Sequence, residues 1–434
     1  MVGGSDPSAP PSERELRERK LREGERREGK PREGKPLAVD PGAEPLPEEP
    51  LAVDPGAALA DPLPVILDLD TGIDDALALL YACGSPDIDI IAVTCVAGNV
   101  GADQVERNTR AVLELAGRGD ISVSPGADRP LVKALETTEE THGPHGIGHA
   151  VLPDPGRDLD QLGGAHRIVE TARRRPGEVH LITLGPMTNL ALALAIEPRL
   201  PFLLRGWTFM AGAFRVPGNT TPTSEWNIHV DPDAAKACLA AWGAALAEDP
   251  AVPLPVGMGL DVTEGARILP ADVARLARRA GAREKDAAVL AAPGSPEAQM
   301  LASGSVGQME SAEPAESAHQ MRATGSVAAN AALRFIVDSL RFYFEFHATY
   351  DGFYGAFIHD PFVVAATLDP SLVTTQPVFV DVESGPGLAH GMTVADWRGI
   401  TGAQPNVAVA VRGDAATFVE RLVDRVGGLA AQTA

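Results

Sequence analysis

From Pro64 onward, short runs of consecutive apolar residues alternate with stretches in which apolar positions recur every three or four residues. Runs of the first kind suit strands buried on both faces, and the second kind suits amphipathic helices, so the alternation predicts a parallel sheet with crossover helices. Val65 to Leu67, Ile88 to Ala97, Ile121 to Val123, Val179 to Leu184, Trp207 to Ala211 and Leu254 to Leu260 read as strands. Ala76 to Ala82, Val105 to Leu115, Leu190 to Ala195 and a segment starting near Pro232 read as helices. Further on, the pattern predicts an aromatic helix over Ala331 to Glu345 and another helix over Phe362 to Leu368. Strands over Val378 to Val382 and Asn406 to Val411 follow, and then a closing helix over Ala415 to Val426. The fold class is α/β, a mostly parallel central sheet flanked by helices, and a site is expected at the carboxyl ends of its strands.

Two stretches break this pattern. Residues 1–60 are poor in aromatics, rich in Pro, Gly, Glu and Arg, and repetitive: Pro36 to Ala43 recurs as Pro50 to Ala57. Such a composition cannot bury enough apolar surface to offset the entropy of ordering, so a disordered low-complexity extension is expected there. Between about 280 and 325 the chain turns to Ala, Gly, Ser, Pro and Glu, and a disordered insertion is expected. Residues 61–434 are then one folded domain interrupted once.

Composition narrows the partners. With 434 residues and 44% hydrophobic content, the chain can bury a large core, and it contains no apolar run of membrane-spanning length. A net charge of -22 argues against a nucleic-acid partner, because a phosphate backbone calls for a basic face. The three cysteines, Cys83, Cys95 and Cys238, stand in apolar settings without a C-x-x-C pattern and read as reduced core residues. The N-terminus lacks a continuous apolar signal region, so a cytoplasmic location is the expectation.

The chemistry concentrates at the end of the first strand. Asp68, Asp70, Asp74 and Asp75 lie between the apolar run Val65 to Leu67 and the apolar helix beginning near Ala76. Helix N-termini favour acids, so Asp74 and Asp75 could be caps and dipole partners. That does not cover Asp70, which would repel the others across a tight Thr71-Gly72 turn unless it were protonated or shared a cation. Oxygen-only ligands suit a hard ion, Ca²⁺ or Mg²⁺. More polar residues stand where loops leave strands: Gly98-Asn99, the loop from Gly218 to Asn227, and Asp261-Val-Thr263. The loop Thr141 to His149 carries His142 and His145 among glycines and reads as a mobile polar loop rather than a zinc site. His359 precedes Asp360-Pro361 at a helix start, where Asp360 could simply be a cap.

Taken together, four motifs resemble the inosine-uridine preferring nucleoside hydrolase family. They are the D-x-D-x-G-x-D-D segment, Ala97-Gly-Asn99, the loop with Asn219 and Glu225-Trp-Asn227, and His359-Asp360, in the family's order. The resemblance implies Ca²⁺-dependent hydrolysis of the N-glycosidic bond of small ribonucleosides, a place in purine and pyrimidine salvage, and a homo-oligomer whose interface the sequence does not define. Carried over, Asp70, Asp75, Asp360 and the Leu184 carbonyl would bind Ca²⁺. Asp74, Asn99, Asn219, Glu225 and Asn227 would hold the ribose, with Met210 beneath it; apart from the resemblance, His142 in the glycine-rich loop is a candidate lid contact to the substrate. Asp70 would be the general base toward water, and His359 the acid toward the departing base. Thr71 stands where the family more often has Pro, and Ala211 where Gly is frequent. Two rivals remain. Asp68-Leu-Asp70-Thr71 also resembles the nucleophile motif of haloacid-dehalogenase-type phosphatases, although Gly72 stands where Thr or Val is wanted. A noncatalytic nucleoside-binding protein is the other.

Overall fold

The computed structural model describes residues 61–291 and 321–434. The predicted extension at 1–60 and residues 292–320 of the predicted insertion lie outside the described residues. The insertion's flanks carry regular structure, a helix at Glu284–Ala291 and another at Gly325–Ala329.

The strands in chain order are β1 (Leu63–Leu69), β2 (Ile88–Cys95), β3 (Ser122–Ser124), β4 (His180–Thr183), β5 (Gly206–Met210) and β6 (Val256–Met258). They continue with β7 (Arg267–Ile268), β8 (Ala356–Phe357), β9 (Val373–Val378), β10 (Val380–Val382), β11 (Thr393–Ala395) and β12 (Val407–Gly413). Eight of them form one sheet in the order β3-β2-β1-β4-β5-β6-β12-β9, parallel except for the antiparallel edge pair β12 and β9. The other four pair off as the antiparallel ribbons β10-β11 and β7-β8.

β1 is buried on both faces, and its alternation assigns each side chain to one of two cores. Val65, Leu67 and Leu69 pack with the helices Ile73–Cys83, Ala331–Tyr350, Asp360–Leu368 and Ala415–Gln432. Ile66 packs on the other side with Gly164–Arg174, Thr188–Ile196 and Pro232–Glu248. The chain builds outward from β1 to β2 and β3, then returns to lay β4, β5 and β6 on β1's other side. β1 and β4 therefore flank a topological switch point, the place where an open parallel sheet leaves a crevice beyond its carboxyl ends.

Three elements differ from the predicted ones. The strand expected over Leu254 to Leu260 is confined to β6, because Gly259 turns the chain into the short helix Leu260–Thr263. Val378 to Val382 is split between the main sheet and the β10-β11 ribbon. The expected mobile loop around His142 instead begins with the helix Glu139–His142, and His142 is buried.

Candidate active site

The crevice is a cavity of about 470 Å³, lined by Asp70, Asp74, Asn99, His142, Leu184, Met210, Asn219, Glu225, Asn227, His359 and Asp360, among other residues. Residues from the ends of β1, β2, β4 and β5 and from the start of the Asp360–Leu368 helix thus meet in one place.

The Asp70-Thr71-Gly72 turn is held from several sides. Asp75 Oδ2 accepts the Gly72 N–H at 2.9 Å, and Oδ1 accepts that of Asp70 at 3.3 Å, closing the turn onto the first turn of the Ile73–Cys83 helix. Asn99 donates its side-chain amide to Asp75 Oδ2 at 3.0 Å and its backbone N–H to Asp70 Oδ2 at 2.8 Å. Thr71 shares a hydroxyl bond with Thr109 at 2.6 Å, which fixes this residue without a proline ring. Gly98 must be glycine here: a Cβ would strike the Asp70 carboxylate and lie 2.9 Å from Pro186 Cδ. Asp70 Oδ1 remains buried with no hydrogen-bond partner among the described residues, while the residue lines the cavity. An orphaned carboxylate oxygen is expensive unless a ligand or proton meets it.

Asp74, Asp75 and Asp360 can each place a carboxylate oxygen within 4.8 Å of the others. Burial is the main cause that raises all four site acids; it pushes Asp74 up to about 8, with Asp75's charge adding to it. Such acids cannot all ionise together unless positive charge sits among them. An oxygen-only donor set with one unpartnered oxygen fits a hard divalent cation. Asp74, which the resemblance implies on the sugar, belongs to this tight group, whereas Asp70 borders it. The Leu184 carbonyl accepts the Asn227 side-chain amide at 2.6 Å, leaving one of its two lone pairs for another partner.

Toward the sugar, Glu225 caps the helix Trp226–Val230. Its carboxylate accepts backbone N–H groups from Asn227 at 2.8 Å, Gly212 at 2.8 Å and Ile228 at 3.1 Å. Glu225 therefore shapes this wall as well as facing the cavity, with about one of four acceptor directions left. The Asn227 amide also donates to the Met210 carbonyl at 3.0 Å, so its Oδ1 is the freer group. Asn219 is exposed at the rim, and its Oδ1 accepts the Trp226 N–H at 3.0 Å.

Hydrogen bonds assign the histidine tautomers. The Ile73 N–H donates to His142 Nδ1 at 3.1 Å, so a neutral His142 carries its proton on Nε2. Thr263 gives its hydroxyl proton to the Gly259 carbonyl at 3.1 Å and so accepts from His359 Nδ1 at 2.8 Å, leaving Nε2 of neutral His359 bare. Burial pushes both imidazoles down to about 3.

Part of the wall lies outside the sequence motifs. Tyr343, Phe346, His347 and Asp351 from the aromatic helix and its C-cap, with Glu264 and Phe357, also line the cavity. The i, i+4 spacing of Tyr343, His347 and Asp351 was the available signal. Tyr350 is exposed at the rim, but Tyr354 lies outside the lining and packs edge-on against Phe344. Asp68 is fully buried and outside the lining, bonded through Oδ1 to Thr94 and to Asn189 at 2.7 Å. A nucleophile must meet its substrate, so this placement removes the phosphatase reading.

The family model described as inosine-uridine preferring nucleoside hydrolase matches residues 65–420. A pyrimidine-specific ribonucleoside hydrolase, RihA of Citrobacter koseri, is 33% identical over 350 residues, covering 80% of this chain and 93% of the relative. Among solved structures, a purine-preferring ribonucleoside hydrolase from Gardnerella vaginalis aligns with a TM-score of 0.68 at 26% identity, over 85% of this chain and 99% of its own. The plant nucleoside hydrolase PpNRh1 aligns with a TM-score of 0.66, also at 26% identity, over 84% and 99%.

Proposed function

The chain belongs to the inosine-uridine preferring nucleoside hydrolase family, and from that premise we propose that it cleaves the N-glycosidic bond of ribonucleosides to free base and ribose. The observation that carries the reading is Asp70 Oδ1, a carboxylate oxygen unpartnered among the described residues and beside three further acids at the sheet's switch point. Breaking a ribosyl bond builds positive charge on the sugar ring, and a wall of carboxylates stabilises that charge. Asp70 takes the proton of the attacking water at Oδ1. Asp74, Asn99, Asn219, Asn227 and the remaining acceptor of Glu225 hold the ribose hydroxyls over Met210, which fixes the reacting carbon in line with the water. His142 offers its Nε2–H as a further donor, and His359 stands at the departing base. A Ca²⁺ held by Asp70, Asp75, Asp360 and the Leu184 carbonyl, with Asp74 beside them, would offset the acids' repulsion and orient the ribose hydroxyls and the water.

Among the described residues no helix is long and apolar enough to cross a membrane. Free base and ribose are salvage products, and the three free thiols suit the reducing cytoplasm. The relatives' names include both pyrimidine and purine preferences.

The test is ribose release from inosine, adenosine, guanosine, uridine and cytidine, with Ca²⁺ and with chelator, for the wild type and Asp70→Ala. Turnover by the wild type that Asp70→Ala loses by at least ~10³-fold supports the reading. Nucleoside binding without turnover in Ca²⁺-replete buffer would replace it with the noncatalytic alternative.

A further inference from the structure

On the cavity wall formed by the helix Ala331–Tyr350 and its C-cap, one histidine has a carboxylate within hydrogen-bond distance; Asp74 Oδ1 is 4.0 Å from His142 Nδ1, which accepts the Ile73 N–H instead, and His359 Nδ1 is bonded to Thr263. His347 is 4% exposed, and its Nδ1 lies 2.7 Å from Asp351 Oδ2 one turn further on. Its other nitrogen, Nε2, is buried without a hydrogen-bond partner among the described residues, although the residue lines the cavity. The ring is held among Tyr343 at 4.6 Å, Phe353 at 5.5 Å and Phe357 at 5.0 Å between centroids. An apolar collar of this kind fixes the imidazole's direction and excludes water from it. Asp351 has a 40% exposed side chain and therefore connects the buried ring to solvent.

His359 is placed differently. In its neutral form Nδ1–H points to Thr263 and Nε2 carries a lone pair, so it receives a hydrogen bond from a base rather than giving one. A carboxylate on Nδ1 does the reverse for His347, because it stabilises the doubly protonated ring and leaves Nε2–H aimed away from the acid.

We infer that His347, supported by Asp351, is the general acid that protonates the departing nucleobase, and that His359 serves as an acceptor that orients the base. This rests on the nucleoside hydrolase reading above. As the C1′–N bond breaks, its electron pair passes to the base. The Nε2 proton of the His347 imidazolium transfers to a ring nitrogen or carbonyl oxygen of that base. The ring is left neutral with Nδ1–H on Asp351, the sugar cation takes hydroxide from the water that Asp70 deprotonates, and solvent restores the imidazolium after release.

Asp351 raises and Arg267 of β7 lowers the His347 imidazole, which in turn lowers His142 and His359; Tyr343 on its own helix and Glu264 are further titratable groups on the same cavity wall. Burial lowers the imidazole below its usual 6.5, and Asp351 opposes that fall.

The experiment compares kcat/KM for inosine and uridine with that for 4-nitrophenyl riboside, whose phenolate leaves without a proton. It is run on the full-length wild type, His347→Gln and Asp351→Asn with Ca²⁺ present. His347→Gln should lose ~100-fold or more on the nucleosides and no more than several-fold on the phenyl riboside. Asp351→Asn, a substitution at a solvent-facing side chain, should show the same selective loss at smaller size. In the wild type, the nucleoside-to-phenyl rate ratio should climb as pH falls through the imidazole range, and His347→Gln should flatten it. Equal losses on both substrate classes, or a ratio whose pH dependence survives His347→Gln, overturns the assignment. A wild type that turns over neither class overturns the hydrolase reading instead, so the two failures are told apart.

Discussion

Removing divalent cations from this protein should cost more stability at pH 8 than at pH 5.5, and Asp74 shows why. Burial, with the neighbouring Asp75 charge, raises its carboxyl from 3.8 to about 8. The unfolded residue gives up its proton near pH 4 and the folded one near pH 8, so the folded state holds the extra proton between them. Its contribution is fully present below about pH 4 and is lost as pH rises through about 8. Four units at ~1.4 kcal/mol each is on the order of 5 kcal/mol. A proton shared between Asp74 and Asp360 relieves part of this, leaving a loss of a few kcal/mol, a large fraction of the ~5–15 kcal/mol that holds a typical domain together. A bound cation replaces the proton, so Ca²⁺ should stabilise strongly at pH 8 and weakly at pH 5.5, where protons compete for the same oxygens. The assay is the thermal or urea midpoint of chelator-treated protein at both pH values, followed by Ca²⁺ titration. Asp74→Asn is the internal comparison and should lose less between the two. Equal Ca²⁺ stabilisation at both pH values, or a pH response in Asp74→Asn as steep as in the wild type, would refute the reasoning.

Three more outcomes follow from single contacts. Gly98→Ala would drive a methyl into the Asp70 carboxylate, and displacing a reacting group by about 1 Å costs ~10²-fold in rate, so kcat should fall steeply in a ribose-release assay while the protein stays folded by circular dichroism. Glu225→Gln can satisfy the Gly212 and Ile228 amides with its carbonyl but turns an NH₂ toward the Asn227 N–H; the denaturant midpoint should report a loss of about 1–3 kcal/mol, together with a higher KM. Asp68→Asn should keep activity within a few-fold, because Asp68 does not meet the cavity, and should remove part of the decline in stability between about pH 4 and pH 7 that a carboxyl raised to about 7 imposes. Loss of turnover in Asp68→Asn with an unchanged pH profile would mean that its hydrogen bonds to Thr94 and Asn189 matter for more than packing.

What sequence patterning could reveal here was whatever is local. Strands buried on both faces leave continuous apolar runs, which is why β1, β2, β4 and β5 and the acids at the end of β1 were readable in one dimension. The partition of those acids was not. Asp68 and Asp70 are two residues apart, yet one is sealed against Thr94 and Asn189 and the other opens into the cavity, because the chain leaves the strand between them. The structural task of Glu225 is hidden in the same way: nothing in its sequence neighbourhood announces that Gly212, thirteen residues earlier, returns to its carboxylate. His347 was the hardest to see: an apolar helix rich in aromatics reads as core, and most of its face is core. Its distinction comes from β7 and β8, which bring Arg267 and Phe357 around a ring whose acid partner is one helical turn away. A cavity assembled at a switch point draws one wall from the strand ends, where patterning finds it, and the other from a distant helix, where a titratable residue differs from its packed neighbours only in the atom it leaves unpaired.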